Sequence, residues 1–205
     1  RKGGKGGIKV TVPAVMPTKQ LLQRYKEALD TAVQLATMHN IKPIHGSTIV
    51  CCDVNPDMDL STSAANGLGA SVCTLRDVAL LLALMFRYSC EECTLVLFDS
   101  ARDWHDLLDA EALPQDGILA NMSALQARVL ASEESTGPGA TCFPLAVLDE
   151  LVVERRRVQN LVVLSKGTLG PGGEDCAAGR ATGTQGVAHF LANYRQLVDP
   201  DLLYV

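Results

Sequence analysis

Asp53-Val54-Asn55-Pro56-Asp57 places three side-chain oxygen donors at alternate positions directly after the apolar run Ile49-Val50-Cys51-Cys52. Carboxylate and amide oxygens are hard donors, the kind Mg²⁺ takes in octahedral array while keeping some of its waters. An apolar run ending in an acidic, proline-bearing turn predicts a buried strand that delivers these donors to its own C-terminal edge, where open α/β sheets place ligands.

Other chemistry-bearing residues point less far. Cys90-Glu91-Glu92-Cys93 has the spacing of redox and zinc sites, but no second such pair or nearby histidine pair completes four ligands. Two acidic neighbours between a helix end and a strand start are expected to raise a thiol pKa, which favours a structural reading. The histidines at 39, 45, 105 and 189 are scattered, and Ser165 is in no G-x-S-x-G elbow. Gly170-Pro171-Gly172-Gly173 lacks the Lys-Ser/Thr of a phosphate loop. Glu154-Arg155-Arg156-Arg157 is expected to close a helix, where cations suit the dipole, with RNA contact as the sharper alternative. No nucleophile and base stand at recognisable spacing, so the chain is read as a non-enzyme.

The 205 residues are 47% hydrophobic and 20% charged, enough for one sizeable core. No apolar run reaches the roughly 18–20 residues that cross a bilayer; the best, Val78 to Phe86, is bounded by Arg76, Asp77 and Arg87. No signal-peptide pattern opens the sequence. Seven cysteines is an odd count, and Cys51 and Cys52 sit inside a strand pattern as small hydrophobes, so a reducing compartment is expected, nuclear and cytoplasmic. Of the 18 Lys and Arg residues, Arg1, Lys2, Lys5, Lys9, Lys19, Arg24 and Lys26 precede the first acidic residue, Glu27, leaving 11 basic against 23 acidic residues beyond it. A basic arm on an acidic body is compatible with nucleic acid near the arm, and equally with a solvated linker.

These residues need elements to position them. Residues 1–17 read as a basic, Gly-rich linker with an alternating patch at Ile8, Val10 and Val12. From the N-cap candidate Thr18, the apolar residues Leu21, Leu22, Tyr25, Leu29, Ala32, Val33 and Ala36 recur at helical spacing. Strands are predicted at 48–54, 94–98 and 161–164, with a short edge strand around Trp104. Helices are predicted near 75–86, 118–130, 143–157 and 187–197. Residues 166–186 hold seven glycines and predict a long loop, and 202–205 begins a strand cut off by the chain end. Strands alternating with helices indicate a Rossmann-like three-layer α/β sandwich with a mainly parallel sheet.

A strand ending in Asp-x-small/polar-x-polar, a helix, a second strand and a later Gly139-Ala140-Thr141-Cys142 turn resemble a von Willebrand factor A-like domain. Together with Gly7-Ile8-Lys9-Val10-Thr11-Val12-Pro13, Ala28-Leu29-Asp30-Thr31-Ala32 and Ala192-Asn193-Tyr194-Arg195, they are similar to the C-terminal part of the TROVE module. That family includes the Ro ribonucleoprotein autoantigen and the telomerase-associated vault protein, and the helix Lys26 to Asn40 looks closer to the telomerase/vault branch.

The resemblance implies residues 18–46 as a helix from a preceding helical-repeat module, and 47–205 as an A-like domain truncated at its C-terminus. It implies a non-catalytic, RNA-associated scaffold that braces a ring of helical repeats. RNA would be held through that adjoining module, with Arg1, Lys2, Lys5 and Lys9 the RNA-proximal residues here. Other ribonucleoprotein subunits are the remaining partners, and no membrane is involved.

The same family carries a metal-dependent adhesion site. By position, Asp53 matches its first Asp, Asn55 and Asp57 stand where its serines would be, and Thr141 matches its loop Thr. The strand Leu161-Val162-Val163-Leu164 then ends in Ser165-Lys166 where the family pattern ends in Thr-Asp. An ammonium about 6 Å from a divalent ion would repel it by on the order of 5 kcal/mol. The expectation is therefore no cofactor, with the site vacant or plugged by Lys166; a bound Mg²⁺ serving a metal-dependent protein-binding module is the alternative, with Asp175 a reserve ligand.

Overall fold

The computed structural model describes residues 18–62, 73–99, 104–108, 113, 117–133, 150–165 and 186–205. In chain order these form α1 (Lys19–Asn40), β1 (Ile44–Asp53), a 3₁₀ turn (Pro56–Asp59), α2 (Leu75–Ser89), β2 (Cys90–Asp99), β3 (Trp104–Leu108), α3 (Ile118–Glu133), β4 (Asn160–Leu164), α4 (Gly186–Leu197) and β5 (Leu203–Tyr204). A helical turn at 150–153 precedes β4. The strands make one five-stranded sheet in the order β3-β2-β1-β4-β5. All neighbours are parallel except β3, which runs antiparallel on the β2 edge as a short strand around Trp104.

The continuous apolar run of β1 follows from its central place. Ile49, Val50, Cys51, Cys52 and Asp53 are all at most 2% exposed, because helices cover both faces. Val50 and Cys52 join Leu95 and Leu97 against Leu80, Ala83 and Leu84 of α2 and Leu125 and Val129 of α3. Ile49 and Cys51 join Val96, Phe98 and Leu161 on the opposite face, against Leu151, Leu191 and Tyr194. Each fully buried aliphatic side chain contributes about 1.5–3 kcal/mol. The α/β class with a mainly parallel sheet and helices on both faces is thus present.

Element ends differ from expectation where polar residues pair across strands. β1 begins at Ile44 rather than Thr48, so the expected junction between residues 46 and 47 falls inside a strand. Gly46 makes the early start possible: it sits at φ +80 at a shift in the β1–β2 register, and a Cβ there would press on Gln159. Gln159 receives Ser47 N–H on its side chain at 2.6 Å and gives its own N–H to Ser47 at 2.9 Å.

The Arg155-Arg156-Arg157 run closes the helical turn at 150–153 as its C-terminal cap, just beyond the last helical residue. Helical structure stops at Val153, and Arg155 takes a left-handed φ of 51. Arg156 N–H reaches Leu151 O and Arg155 N–H reaches Val152 O, the bond pair of a Schellman cap, which competes with continued helix. Tyr194 locks this turn from the far helix, accepting from Val158 N–H and donating to Arg156 O, both at 2.7 Å.

α2 starts in a full capping box: Asp77 N–H donates to Thr74 Oγ1 at 3.1 Å, and Thr74 N–H donates to the Asp77 carboxylate at 3.0 Å. Burial raises the Asp77 pKa, but the Thr74 and Gln126 hydrogen bonds and the Arg76 charge outweigh it and hold it below the usual carboxylate value.

α1 is a helix from its N-cap Thr18 onward, but it docks on an unexpected face. The contacts to α2 and α3 come from Asp30, Val33 and Thr37, while Leu21, Leu22, Tyr25, Leu29, Ala32 and Ala36 are exposed. At ~100° per residue the apolar stripe lies about 110° around the helix from the docked face. The reason is polar: Asp30 Oδ1 accepts from Leu119 N–H at 2.8 Å and caps α3 from outside, while Gln34 steadies Oδ2 at 3.0 Å. Gly117 sits at φ +143 under that carboxylate, and a Cβ there would collide with it. Among the described residues, no helix is long and apolar enough to cross a membrane.

Candidate functional site

Topology singles out one edge of the sheet. From β1 the chain goes to β2 and β3 on one side, then to β4 and β5 on the other, so the order reverses between β1 and β4. Ligands in open α/β sheets bind outside the C-terminal ends of the strands at such a reversal. Asp53 ends β1 there, and Ser165 follows the end of β4.

The two residues meet: Ser165 Oγ donates to Asp53 Oδ2 at 3.3 Å. Asp53 Oδ1 accepts from Asn55 N–H at 3.1 Å, which folds the chain sharply out of the strand. Asn55 then caps the 3₁₀ turn, its Oδ1 accepting from Asp57 N–H at 2.7 Å while Pro56 supplies a preset φ at the first turn position. Met58 plugs the turn into the core at 3% exposure, and Arg76 of α2 ties it down through Asp59 at 2.8 Å.

Of the residues expected here, Asp53 and Asn55 come together, buried at 2% and 7% exposure. Asp57 is exposed, one step outside them, and contributes its backbone N–H. Thr141, Lys166, Asp175, Arg1, Lys2, Lys5 and Lys9 lie outside the described residues. The donors suit a hard cation in type. They do not match it in arrangement, because Asn55 Oδ1 is turned into the chain as a cap where the adhesion-site pattern needs an outward hydroxyl. Among the described residues, no group of three or more His, Cys, Asp or Glu side chains gathers as a metal cluster.

Asp99 went unnoticed in the sequence. It ends β2 one residue beyond Phe98, the register partner of Asp53, and is only 7% exposed. The signal was present, an acidic residue closing the apolar run Leu95-Val96-Leu97-Phe98, the same pattern that marked Asp53. Asp30 went unnoticed as an anchor because a cap made across space leaves no spacing to read.

At the opposite edge of the sheet, the Cys90 thiol departs from expectation. Its pKa is lowered to about 7, first by a hydrogen bond from the Cys93 thiol, against partial burial and with a further hydrogen bond from Thr48. The acidic neighbours do not control it because Glu91 turns away, taking Gly46 N–H at 3.1 Å and standing 3.7 Å from His45. No family model, curated protein or solved structure matches this chain.

Proposed function

We propose that the chain is the A-like domain of a TROVE-module ribonucleoprotein subunit of the telomerase/vault kind, acting as a non-catalytic brace for an RNA-binding helical-repeat ring. The observation that carries this reading is α1. A helix that is pinned to a domain by a carboxylate cap, yet leaves every residue of its apolar stripe but Val33 exposed, suits a helix shared between two modules. Tyr25 and Leu29 are each 60% exposed on that stripe, and burying such side chains would favour attachment by about 1.5–3 kcal/mol each. In this reading RNA is held by the adjoining module, with Arg1, Lys2, Lys5 and Lys9 beside it, and specificity comes from RNA shape.

Purification of the full-length chain from cells, with ultraviolet cross-linking, tests this. RNA is expected to cross-link within the helical module and the arm around Lys5 and Lys9, and not at the Asp53 edge. Leu22→Ser, Tyr25→Ser and Leu29→Ser together are expected to release RNA while leaving urea unfolding of the A-like domain unchanged, since these side chains are exposed. A full-length chain free of RNA would refute the reading.

A second reading, a metal-dependent protein-binding module, is favoured by Asp99 as a second buried carboxylate on the edge that holds Asp53. Calorimetric titration with Mg²⁺ or Mn²⁺ separates the two: binding lost in Asp53→Ala supports the module, and no heat supports the brace.

A further inference from the structure

The exposed stripe of α1 has a period and a charged border. Leu22, Tyr25, Leu29, Ala32 and Ala36 follow one another at intervals of three and four residues, all exposed, and Leu21, Ala28 and Leu35 run alongside, each one position earlier. Such a repeat is the seam of a left-handed coiled coil, whose holes take the knobs of one facing helix. The seam also tapers. Leu22, Tyr25 and Leu29 stand out from its upper turns at 46%, 60% and 60% exposure, whereas Ala32 and Ala36 leave it flat below. A helix that packs along all of it carries large side chains opposite the alanines, because close packing leaves no void.

The border is of one sign. Lys19 and Lys26 stand roughly 100° to one side of the upper seam and Arg24 about as far to the other, at ~100° per residue. All three are exposed, and none is in an ion pair among the described residues. Glu27, the acid of these turns, lies on the far side of the helix and takes Gln23 Nε2 at 2.9 Å. The first turn holds no acidic residue, so the partial positive charge of the helix N-terminus adds to the three cations. Lower down, the flank below Lys26 is occupied by Asp30, Val33 and Thr37, which hold the body.

We propose that the upper stripe of α1 docks an amphipathic helix whose apolar seam is bordered on both sides by carboxylates. The inference rests on α1 being a helix shared between two modules and states what the covering element carries. Opposite charges beside a coiled-coil seam favour pairing and like charges oppose it, so cations on both margins select the partner by sign. A second copy of α1 lacks that sign: in parallel it sets the same cations side by side, and in antiparallel its lower half offers only Asp30, which is engaged on Leu119 N–H. A lipid surface fits the shape less well. The body stands beside α1 and leaves room for a helix roughly 10 Å wide, and the alanine half of the stripe has little to insert.

Two synthetic peptides of about three heptads, with Leu at the seam and either Glu or Lys on both margins, test this. Each is labelled with fluorescein and titrated with the 205-residue chain at low salt, with anisotropy as the readout. The Glu peptide is expected to bind with a micromolar Kd and the Lys peptide at least about tenfold more weakly, the margin narrowing at high salt. Leu22→Ser, Tyr25→Ser and Leu29→Ser together are expected to abolish binding. Lys19→Glu, Arg24→Glu and Lys26→Glu together are expected to reverse the preference, with urea unfolding unchanged because all three side chains are exposed. Equal binding of the two peptides, or binding of neither, overturns the proposal without any variant. So does a chain that sediments as a dimer through these leucines, or one that takes phosphatidylserine vesicles in preference to the Glu peptide. No RNA enters the titration, so its failure is distinct from a full-length chain found free of RNA.

Discussion

Two cysteine pairs lie on neighbouring strands and behave as different elements. Cys51 and Cys52 occupy the middle of β1 at 0% exposure, one on each face of the sheet. Burial pushes the Cys51 thiol up to about 12, and burial with the Asp53 and Cys51 charges pushes Cys52 up as well. Cys90 and Cys93 lie at the start of β2, each partly buried, and hydrogen bonding from Cys93 and then Thr48 holds the Cys90 thiol down at about 7. Solvent loss penalises a thiolate everywhere, and only donors aimed at the sulfur reverse the sign. The thiol pKa here follows the hydrogen-bond partners more than the depth of burial.

The largest test acts on the inert pair. A thiol whose folded pKa lies above its unfolded value stabilises fully below the unfolded pKa, and that contribution is lost as pH rises through the folded value. For Cys51 the window runs from the ordinary 9.0 to about 12. At ~1.4 kcal/mol per unit, on the order of 4 kcal/mol should vanish across it. Urea unfolding of Cys51→Ala is expected to fall less steeply with pH between 9 and 12 than the parent, and equal slopes would remove the difference between the pairs.

A smaller effect is expected from Thr48→Val, which takes the hydroxyl donor from Cys90 and the acceptor from Asn160. Stability is expected to drop by about 1–2 kcal/mol. The pH midpoint of Cys90 alkylation, read on the tryptic peptide 88–102, is expected to climb by about one unit toward the ordinary thiol value. The linkage sign is opposite to that of Cys51. A lowered thiol pKa adds stability above the unfolded value of 9.0 and loses it as pH falls toward about 7.

The smallest expected effect is Glu91→Gln. Because the carboxylate faces Gly46 and His45, the alkylation midpoint of Cys90 should move by less than about 0.3 unit. A shift of a full unit would restore the simple view in which acidic neighbours set the thiol.

The same contrast between pattern and partner explains what was legible. The core of β1 could be read because four consecutive buried positions, Ile49 to Cys52, leave an unbroken apolar run, and Asp53 could be read because it ends that run. The four residues before Thr48 looked like a turn, since His45-Gly46-Ser47 has loop composition. Their strand character comes from pairing with Cys90 and Glu92 of β2, with Ser47 held further by Gln159, more than 100 residues away. Arg155-Arg156-Arg157 looked like a basic helix end and is one, but the helix stops at Val153 and the run caps it as a turn that Tyr194 holds from another helix. The periodicity of α1 revealed a helix and an apolar stripe, and all of the stripe but Val33 turned out to be exposed.

Local chemistry written along the chain was enough to set the alternation of strands and helices, the Thr18 and Thr74 caps, the burial of Cys51 and Cys52 and the acidic edge after β1. These depend on neighbours within a few residues. Three matters were left to tertiary structure: which face of α1 docks, that Ser165 meets Asp53, and that Cys90 is the acidic thiol. The first two are decided by hydrogen bonds between residues that spacing does not relate, Asp30 with Leu119 and Ser165 with Asp53; the third follows first from Cys93, three residues along the chain, and then from Thr48 of the neighbouring strand. A donor brought in from a distant element leaves no period in the sequence.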